Sequence, residues 1–253
     1  MYCIFAALIC IHLKYPNFKD LILFENEDYI VINKPPFVAS LDERGAAGAG
    51  EVNILRLARL YTEDAQICHR LDKETSGAIV IAKNPEAYRN LSIQFEKRKV
   101  NKIYHAVVDG QFQFDNLFVD LPILNDGNKN VTIDRQEGKR AETYFNSLKY
   151  YKHYTLVECK PVTGRMHQIR IHLATQRAAI CGDTMYRGKP VFLSKIKRGY
   201  RLTDEEEQPI MKRFALHAKK ITFKGLDGKD ILVEAPYPKD FATLLKLLDK
   251  FDS

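Results

Sequence analysis

The sequence predicts one α+β domain, built on a large, mostly antiparallel β-sheet with helices on its faces. Its 253 residues are enough for one or two ordinary domains. From about residue 102 onward, runs rich in β-branched and aromatic residues alternate with polar turns, which is typical of antiparallel strands. Helical patterns are few, and no repeat or linker divides the chain, so we expect a single core.

The first predicted elements are a strand, a short helix and a second strand. Residues 28–34 form a β-rich run that stops at a Pro-Pro pair, because proline cannot continue a sheet ladder. Residues 52–61 place apolar side chains near helical spacing. The glycine-rich residues 45–50 lack the Gly-Lys-Ser/Thr ending of a phosphate-binding loop and are predicted to be a plain loop. Residues 78–82 indicate a buried strand.

A helix is predicted after this second strand, with Asn84 as its N-cap and Pro85 at its first position. Three apolar side chains share one of its faces: Tyr88, Leu91 and Phe95. The basic residues 97–99 follow it. They complement the negative end of the helix dipole, or they face an RNA backbone.

The remaining elements are strands and one terminal helix. The predicted strands cover residues 102–108, 141–150, 154–160, 220–223 and 231–234. The turn sequence GLDG between the last two predicts a hairpin. Residues 239–251 repeat apolar side chains along one stripe, which predicts an amphipathic helix packed on the body, with Asp240 as its cap.

Composition restricts the class of protein. A formal net charge of +7 and a sequence pI of about 9.0 favour a polyanionic partner, nucleic acid before anionic membrane. Five cysteines without ligand-like spacing indicate reduced thiols in a cytoplasmic protein, and neither a disulfide framework nor a zinc knuckle. No run reaches the ~18 apolar residues of a membrane span. Residues 1–20 are interpreted as an N-terminal extension with no assigned role.

A first block of chemically capable side chains, HRLDKETSG, occupies residues 69–77. It lies in a loop that feeds a buried strand, and such loops hold accessible side chains rigidly. The block is also compatible with a purely structural turn. In that case Asp72 or Thr75 bonds to nearby backbone amides and Gly77 supplies a positive φ angle.

A second block, TGRMHQIRIHL, occupies residues 163–173. Its apolar side chains fit a helix and a strand equally well, and we favour a helix because the Thr-Gly pair breaks the preceding strand. Its hydrogen-bond donors suit phosphates and flipped bases. They are Arg165, His167, Gln168 and Arg170. A solvated helix face with satisfied histidines is the alternative.

The first block resembles the HRLDxxTSG signature of the RluA-type pseudouridine synthases, and the second resembles their Arg-x-His-Gln-Ile-Arg-x-His block. Four shorter segments also resemble that family: residues 31–35 (VINKP), 102–104 (KIY), 182–186 (GDTMY) and 216–218 (LHA). The matches follow one another in order from about residue 21 to 235. One departure is Arg187, where the family usually has glycine.

The resemblance implies an isomerase that detaches a selected uracil from its ribose, turns it and rejoins it through carbon, without a cofactor or a metal. It implies a mixed, mostly antiparallel sheet with a central basic cleft. The catalytic domain is expected to cover residues 21–253. Many relatives carry an N-terminal S4 module, and the roughly 20 residues before the matching region are too few for one.

The resemblance also implies roles for individual residues. Asp72 is the nucleophile or essential carboxylate, Tyr104 packs against the target base and accepts its C5 proton, and Arg165 pairs with Asp72. Arg70 helps to expel the nucleotide or fills the gap that it leaves. A neighbouring guanidinium favours the ionised carboxylate, and a stacked uridine must be extruded before it can react. The remaining expected RNA contacts are His69, Thr75, His167, Gln168 and Arg170.

The expected partner is RNA, large-subunit ribosomal RNA before transfer RNA, with a monomeric protein and no membrane contact. Further phosphate contacts are expected from residues 97–99 and from basic residues within 187–201. A non-catalytic RNA-binding or ribosome-assembly protein is one alternative. A metal-dependent hydrolase is another, with a candidate ligand set of His69, Asp72, His167, His172 and Asp183. Arginines near these positions and the lack of ligand spacing argue against a metal site.

Overall fold

The computed structural model describes residues 17–42, 52–127, 130–200 and 206–253. The predictions for the glycine-rich loop and for residues 1–16 of the N-terminal extension lie outside these ranges. Residues 18–21 of that extension form a short 3-10 helix, whose N-cap Asn17 accepts a hydrogen bond from the Lys19 amide.

Eleven strands and five α-helices make up the described part of the chain. The strands are β1 (Ile22–Glu25), β2 (Tyr29–Lys34), β3 (Ser76–Ala82), β4 (Asn101–Asp109), β5 (Leu117–Asp120), β6 (Ile123–Asn125), β7 (Val131–Ile133), β8 (Glu142–Tyr150), β9 (Tyr154–Pro161), β10 (Leu216–Lys224) and β11 (Asp230–Glu234). The helices are α1 (Ile54–Tyr61), α2 (Pro85–Glu96), α3 (Gln168–Thr175), α4 (Leu193–Ile196) and α5 (Lys239–Phe251).

One nine-stranded sheet dominates the fold. Its strand order is β1-β2-β3-β10-β4-β9-β8-β5, and β11 pairs with β10 beyond the short contact of β10 with β3. Among the described strand pairs only β3 and β10 run parallel. Strands β6 and β7 form a separate hairpin. The sheet is therefore mixed and mostly antiparallel, which confirms the predicted α+β fold.

Strand β10 joins the two halves of the sheet. Along one edge it pairs with β4 from Leu216 to Thr222. Along the other edge it meets the start of β3 at His217 and Ala218, and then β11 from Lys220 onward. The strand that carries the LHA segment therefore lies directly beside the end of the HRLDKETSG block.

The helix starts follow local capping. Asn84 accepts a hydrogen bond from the Ala87 amide at 2.8 Å and Pro85 opens α2, as predicted. The cap predicted for α5 is wrong, because its N-cap is Pro238 and Asp240 lies within the first turn. The Asp240 carboxylate instead accepts hydrogen bonds from the buried Arg213 guanidinium at 2.7 and 3.0 Å. A charged partner holds it more strongly than backbone amides would.

The helices cover both faces of the sheet. Alternate residues of β2 and β3 pack against α1 on one face, including Ile30 and Ile79, and against α2 on the other, including Val31 and Val80. Helices α3 and α5 bury their apolar stripes against β4, β8 and β9. This confirms the helix predicted in the second block. Within the described ranges, no helix is long and apolar enough to cross a membrane.

We predict that Gly77→Ala destabilises the protein by about 3 kcal/mol or more. Gly77 has a φ of +115°, and an added Cβ would lie 2.2 Å from the Ala218 carbonyl oxygen, at the parallel junction of β3 and β10. Gly228 is the matched control, because its φ is +76° but no atom lies within 4 Å of its added Cβ. Gly228→Ala should cost only about 1 kcal/mol. Chemical denaturation measures both, and equal losses would contradict the close contact.

Candidate active site

The loop that carries Asp72 is fixed by side chains from outside it. Ser40 Oγ donates to the Leu71 carbonyl at 2.9 Å and accepts from the Leu71 amide at 3.1 Å. The Thr75 amide donates to the Asp72 carbonyl at 3.0 Å and closes a turn. The backbone around Asp72 is thus held on both sides, while its side chain remains 26% exposed.

Lys34 lies beneath this loop and is fully buried. Its ammonium donates to three carbonyl oxygens, those of Pro35, Val38 and Lys73, at 2.8 to 3.1 Å. Burial, and then the charge of Arg213, lower the pKa of Lys34 to about 7, although the charge of Asp72 opposes this shift. Lys34 therefore joins the turn after β2 to the catalytic loop.

Arg213 supports the other end of the loop. Its guanidinium donates to the Glu74 carbonyl at 2.9 Å and to Ser76 Oγ at 3.2 Å, and it forms the ion pair with Asp240 described above. Ser76 Oγ also lies 3.0 Å from His217 Nδ1. The loop, the start of β10 and helix α5 thus share one buried polar network.

Asp72 pairs with Arg170, and this corrects the predicted pairing with Arg165. Arg170 Nη1 lies 3.2 Å from Asp72 Oδ2. The same guanidinium binds Asp183 with two hydrogen bonds, at 2.6 and 2.8 Å, and the Asp183 side chain is only 1% exposed. Among the described residues no hydrogen-bond partner is found for Asp72 Oδ1, whereas Oδ2 meets the guanidinium.

The turn before α3 decides which arginine reaches Asp72. His167 adopts φ +54° at the N-cap, and the helix starts at Gln168. Arg170 therefore falls in the first turn of α3 and points at Asp72, whereas Arg165 precedes the helix on its exposed side. Arg165 Nε donates to the Arg140 carbonyl at 3.1 Å instead.

His167 and Tyr186 line the site beside Arg170. His167 Nε2 lies 4.0 Å from Asp72 Oδ2, and its Nδ1 lies 3.1 Å from the Tyr186 hydroxyl. Burial lowers the pKa of His167, and the nearby charges of Arg170 and Arg70 act in the same direction against Asp72 and Asp183. The imidazole is therefore neutral at neutral pH, and a neutral ring adds no further charge to the pair.

Tyr104 lies on β4, and its ring packs against two hydrophobic clusters. One contains residues of β8, β9, α3 and α5, and the other contains residues of β2, β3 and α1. Burial, and then the nearby charges of Asp72 and Cys159, raise the pKa of its hydroxyl. The phenol is therefore protonated at neutral pH. The charge of Asp72 acts on this hydroxyl, so the two side chains are near each other.

Three residues expected to contact RNA are engaged inside the protein. Gln168 is buried and bonds to the Glu142 carbonyl at 2.9 Å and to the Thr163 hydroxyl at 2.7 Å. His69 Nε2 accepts from the Val80 amide at 3.0 Å, and its ring stacks on Phe95. Thr75 is also buried. This corrects the expectation for all three, because Gln168 and His69 bond within the protein and Thr75 is buried.

Arg70 is exposed, as its predicted role requires. Its charge lowers the pKa of His167, which places the guanidinium near the site. Within the described residues it has no hydrogen bond or ion pair, so it is available to a substrate.

Several basic side chains of the protein line an open groove or pair with acidic groups. Arg135 and Arg140 line an open groove of about 380 Å³. Arg98 pairs with Glu142 at 3.1 Å, so part of the cluster at residues 97–99 is engaged within the protein. In the basic stretch 187–201, the Ser194 amide donates to the Glu207 carboxylate at 2.9 Å, so Glu207 interacts with α4.

The described residues contain no group of three or more His, Cys, Asp or Glu side chains placed to hold a metal ion. His172, from the alternative ligand set, lies 2.9 Å from the Thr143 hydroxyl and 3.0 Å from the Leu121 carbonyl. Asp183 is occupied by Arg170. The candidate set therefore does not converge.

Sequence reasoning missed three supporting residues: Lys34, Asp183 and Arg213. The first two lie in the VINKP and GDTMY segments, so those segments were a signal, although Lys34 was given no role and Asp183 was considered only as a metal ligand. Arg213 lies outside every motif that the sequence showed.

We predict that Arg170→Met destabilises the protein by about 3–5 kcal/mol, because it leaves the Asp183 carboxylate buried without its partner. Arg165→Met is the matched control. Arg165 is exposed, so its loss should cost about 0.5 kcal/mol or less. Unfolding in denaturant measures both values. Equal stability of the two variants would show that Arg170 is not the buried bridge.

We also predict that His69 makes the fold sensitive to acid. Burial lowers its pKa to about 3, so below the ordinary histidine value of about 6.5 only the unfolded chain takes up this proton. The free energy of unfolding then falls by about 1.4 kcal/mol per pH unit as the pH drops.

Denaturation between pH 7.5 and 5 should give a slope that is smaller by this amount in His69→Gln. The other buried histidines, such as His217, contribute equally to both proteins, so the difference isolates His69. Identical slopes would show that His69 protonates in the folded state.

Comparison with known proteins agrees with the geometry. A family model described as RNA pseudouridylate synthase matches residues 28–175, more than half of the chain. The chain is 34% identical over 235 residues to "Ribosomal large subunit pseudouridine synthase C" of Buchnera aphidicola, which covers 91% of this chain and 71% of that protein. It is 35% identical over 245 residues to the protein of the same name from Salmonella typhi, with 93% and 72% covered.

A solved structure, "Human RNA Pseudouridylate Synthase Domain Containing 4", has a TM-score of 0.67 at 24% identity, and the match covers 92% of this chain and 95% of that one. This likeness shows the fold. The sequence matches confirm the predicted activity class, an isomerase that acts on uridines in RNA. The chain belongs to the RNA pseudouridylate synthase family.

Proposed function

We propose that this protein converts specific uridines of large-subunit ribosomal RNA to pseudouridine, with Asp72 as the catalytic carboxylate. The observation that carries the proposal is the Asp72 carboxylate itself, partly exposed on a fixed loop and ion-paired with Arg170. The names of the relatives from Buchnera aphidicola and Salmonella typhi support the choice of ribosomal RNA.

The geometry supports a division of labour between the two carboxylate oxygens. Oδ2 of Asp72 faces the Arg170 guanidinium, which favours the ionised form. Oδ1 is the oxygen directed to the ribose of an extruded uridine, where it attacks or stabilises the sugar carbon as the base departs. The detached uracil then turns and its C5 bonds to the sugar carbon, which breaks any bond between that carbon and Oδ1; C5 loses its proton and N1 gains one.

Tyr104 is proposed as the stacking surface for the uracil ring. Its raised pKa keeps the hydroxyl protonated, and a protonated phenol is a poor proton acceptor. This supports a stacking role over the expected acceptance of the C5 proton. Arg70, exposed beside the site, is proposed to fill the gap that the extruded nucleotide leaves.

We propose different roles for His167 and Arg165, one in the nucleotide pocket and one at its rim. His167 lies against Asp72 and helps to shape the pocket for the nucleotide. Arg165 is proposed as an RNA phosphate contact at the rim, because its side chain is exposed next to Arg140. We further propose that the catalytic domain spans residues 21–253 and works as a cytoplasmic monomer.

We predict that Asp72→Asn lowers pseudouridine formation at least about a thousandfold, because the amide carries no charge to meet the sugar. Release of tritium from 5-tritiated uridine measures turnover, in unmodified transcripts of bacterial large-subunit ribosomal RNA and, separately, of transfer RNA. RNA affinity should be retained in the variant. Asp115→Asn, at an exposed loop position, is the control and should be fully active.

Activity on transfer RNA alone would overturn the proposed target. Parent protein that binds both RNAs and releases no tritium would favour the non-catalytic RNA-binding role. Activity that survives in Asp72→Asn would reject Asp72 as the catalytic carboxylate.

A further inference from the structure

We propose that Phe37 is a second stacking platform, which binds an unpaired RNA base next to the extruded uridine. This inference rests on the proposed function, because it extends the RNA-binding surface of the same site. It is carried by three observations on one residue: its backbone conformation, its exposure and its place beside the catalytic loop.

The backbone at Phe37 is in a conformation that phenylalanine rarely adopts. Its φ is +65°, in the left-handed region, within a turn that follows the Pro-Pro pair. Glycine and asparagine are the residues that suit such a turn position, and a bulky side chain there is strained. Strain of this kind persists where the surrounding structure enforces it, and it is concentrated at ligand-binding sites.

The Phe37 side chain is not packed in the hydrophobic core. It is 50% exposed, although its neighbour Val38 is buried in the cluster under α1. Within the described part of the chain, Phe37 makes no ring contact with another aromatic side chain and belongs to no hydrophobic cluster. The position therefore combines a strained backbone with an apolar ring in water, and neither feature stabilises the fold.

The turn that presents Phe37 is fastened to the catalytic loop. The Val38 carbonyl shares the Lys34 ammonium with the Lys73 carbonyl, the residue after Asp72. Two residues further on, Ser40 Oγ bonds both backbone groups of Leu71, the residue before Asp72. Each side of the Phe37 turn is thus tied to a neighbour of the catalytic carboxylate, so the backbone that carries the ring is fixed close to the catalytic loop.

An RNA base is the occupant that these features fit. An extruded uridine leaves neighbouring nucleotides unstacked, and unpaired bases bind proteins through stacking on aromatic side chains. Basic residues flank the same site, with Arg70 exposed near Asp72, so the backbone of the strand that brings the base is also attracted. The backbone at Phe37 loses little freedom on binding, because the turn already fixes it.

The chain contains no tryptophan, which provides a direct test. Phe37→Trp places one fluorescent indole at the proposed platform. Its emission should be strongly quenched when an unmodified transcript of bacterial large-subunit ribosomal RNA is added. Tyr150→Trp is the matched control, because Tyr150 is also 50% exposed but lies at the far end of β8. Its emission should change little. Equal quenching of both indoles, or none in Phe37→Trp, would overturn the proposal.

Kinetics separate a binding role from a structural one. Phe37→Ala should raise KM for that transcript about tenfold while kcat stays within about twofold, and Phe37→Tyr, which keeps the ring, should behave as the parent. Phe37→Gly should raise KM in the same way, with a melting temperature equal to or above that of the parent, because glycine relieves the strained φ.

These results distinguish this inference from the proposed function. If Phe37→Ala forms pseudouridine with an unchanged KM, the platform is rejected and the activity stands. If Phe37→Gly unfolds at a lower temperature than the parent, Phe37 is structural and the proposal is also rejected. If the parent itself forms no pseudouridine, the proposed function fails, and quenching confined to Phe37→Trp would still support the binding surface.

Discussion

The arrangement of the site depends on one buried cation, the guanidinium of Arg170. It binds the carboxylates of Asp72 and Asp183, which come from loops more than one hundred residues apart in the chain. A buried guanidinium is costly unless its donors are paired, and each carboxylate is costly without the guanidinium. The guanidinium also stacks on the aromatic ring of Phe214, whose centroid lies 4.3 Å from the guanidinium carbon. Three separate segments are therefore brought together by a single charge.

The position of the Asp72 carboxylate is set mainly by hydrogen bonds to the backbone on either side of it. The carbonyls and amides on both sides of Asp72 are bonded to buried side chains, among them Lys34, Ser40 and Arg213. Such supports fix the direction of a reactive group better than a flexible loop does. Several motif residues that look like substrate ligands in the sequence, such as Gln168, act in this supporting way.

The sequence was sufficient for the long elements and for the identity of the motif blocks. Strands of eight or nine residues, such as β4 and β9, show their pattern clearly, and so do capped or amphipathic helices such as α2 and α5. Strands β1, β5, β6 and β7 were not predicted, because three or four residues are too few to display alternation.

The site was harder to predict where the pairing of side chains depended on the tertiary structure. Arg165 and Arg170 lie within six positions, and only the left-handed turn at His167 decides which one faces Asp72. Buried cations such as Lys34 and Arg213 contradict the ordinary preference of charged residues for the surface, so composition gave no reason to place them inside. Their partners are backbone carbonyls and residues distant in the chain, which no local pattern reveals.

The network around Arg213 has a consequence for folding during synthesis. Arg213 binds the Glu74 carbonyl and Asp240, so the catalytic loop is finished only by segments translated long after it. A nascent chain that has exposed the HRLDKETSG block alone lacks both β10 and the last helix. The catalytic loop therefore acquires its full set of supports only when the C-terminal segments have been made.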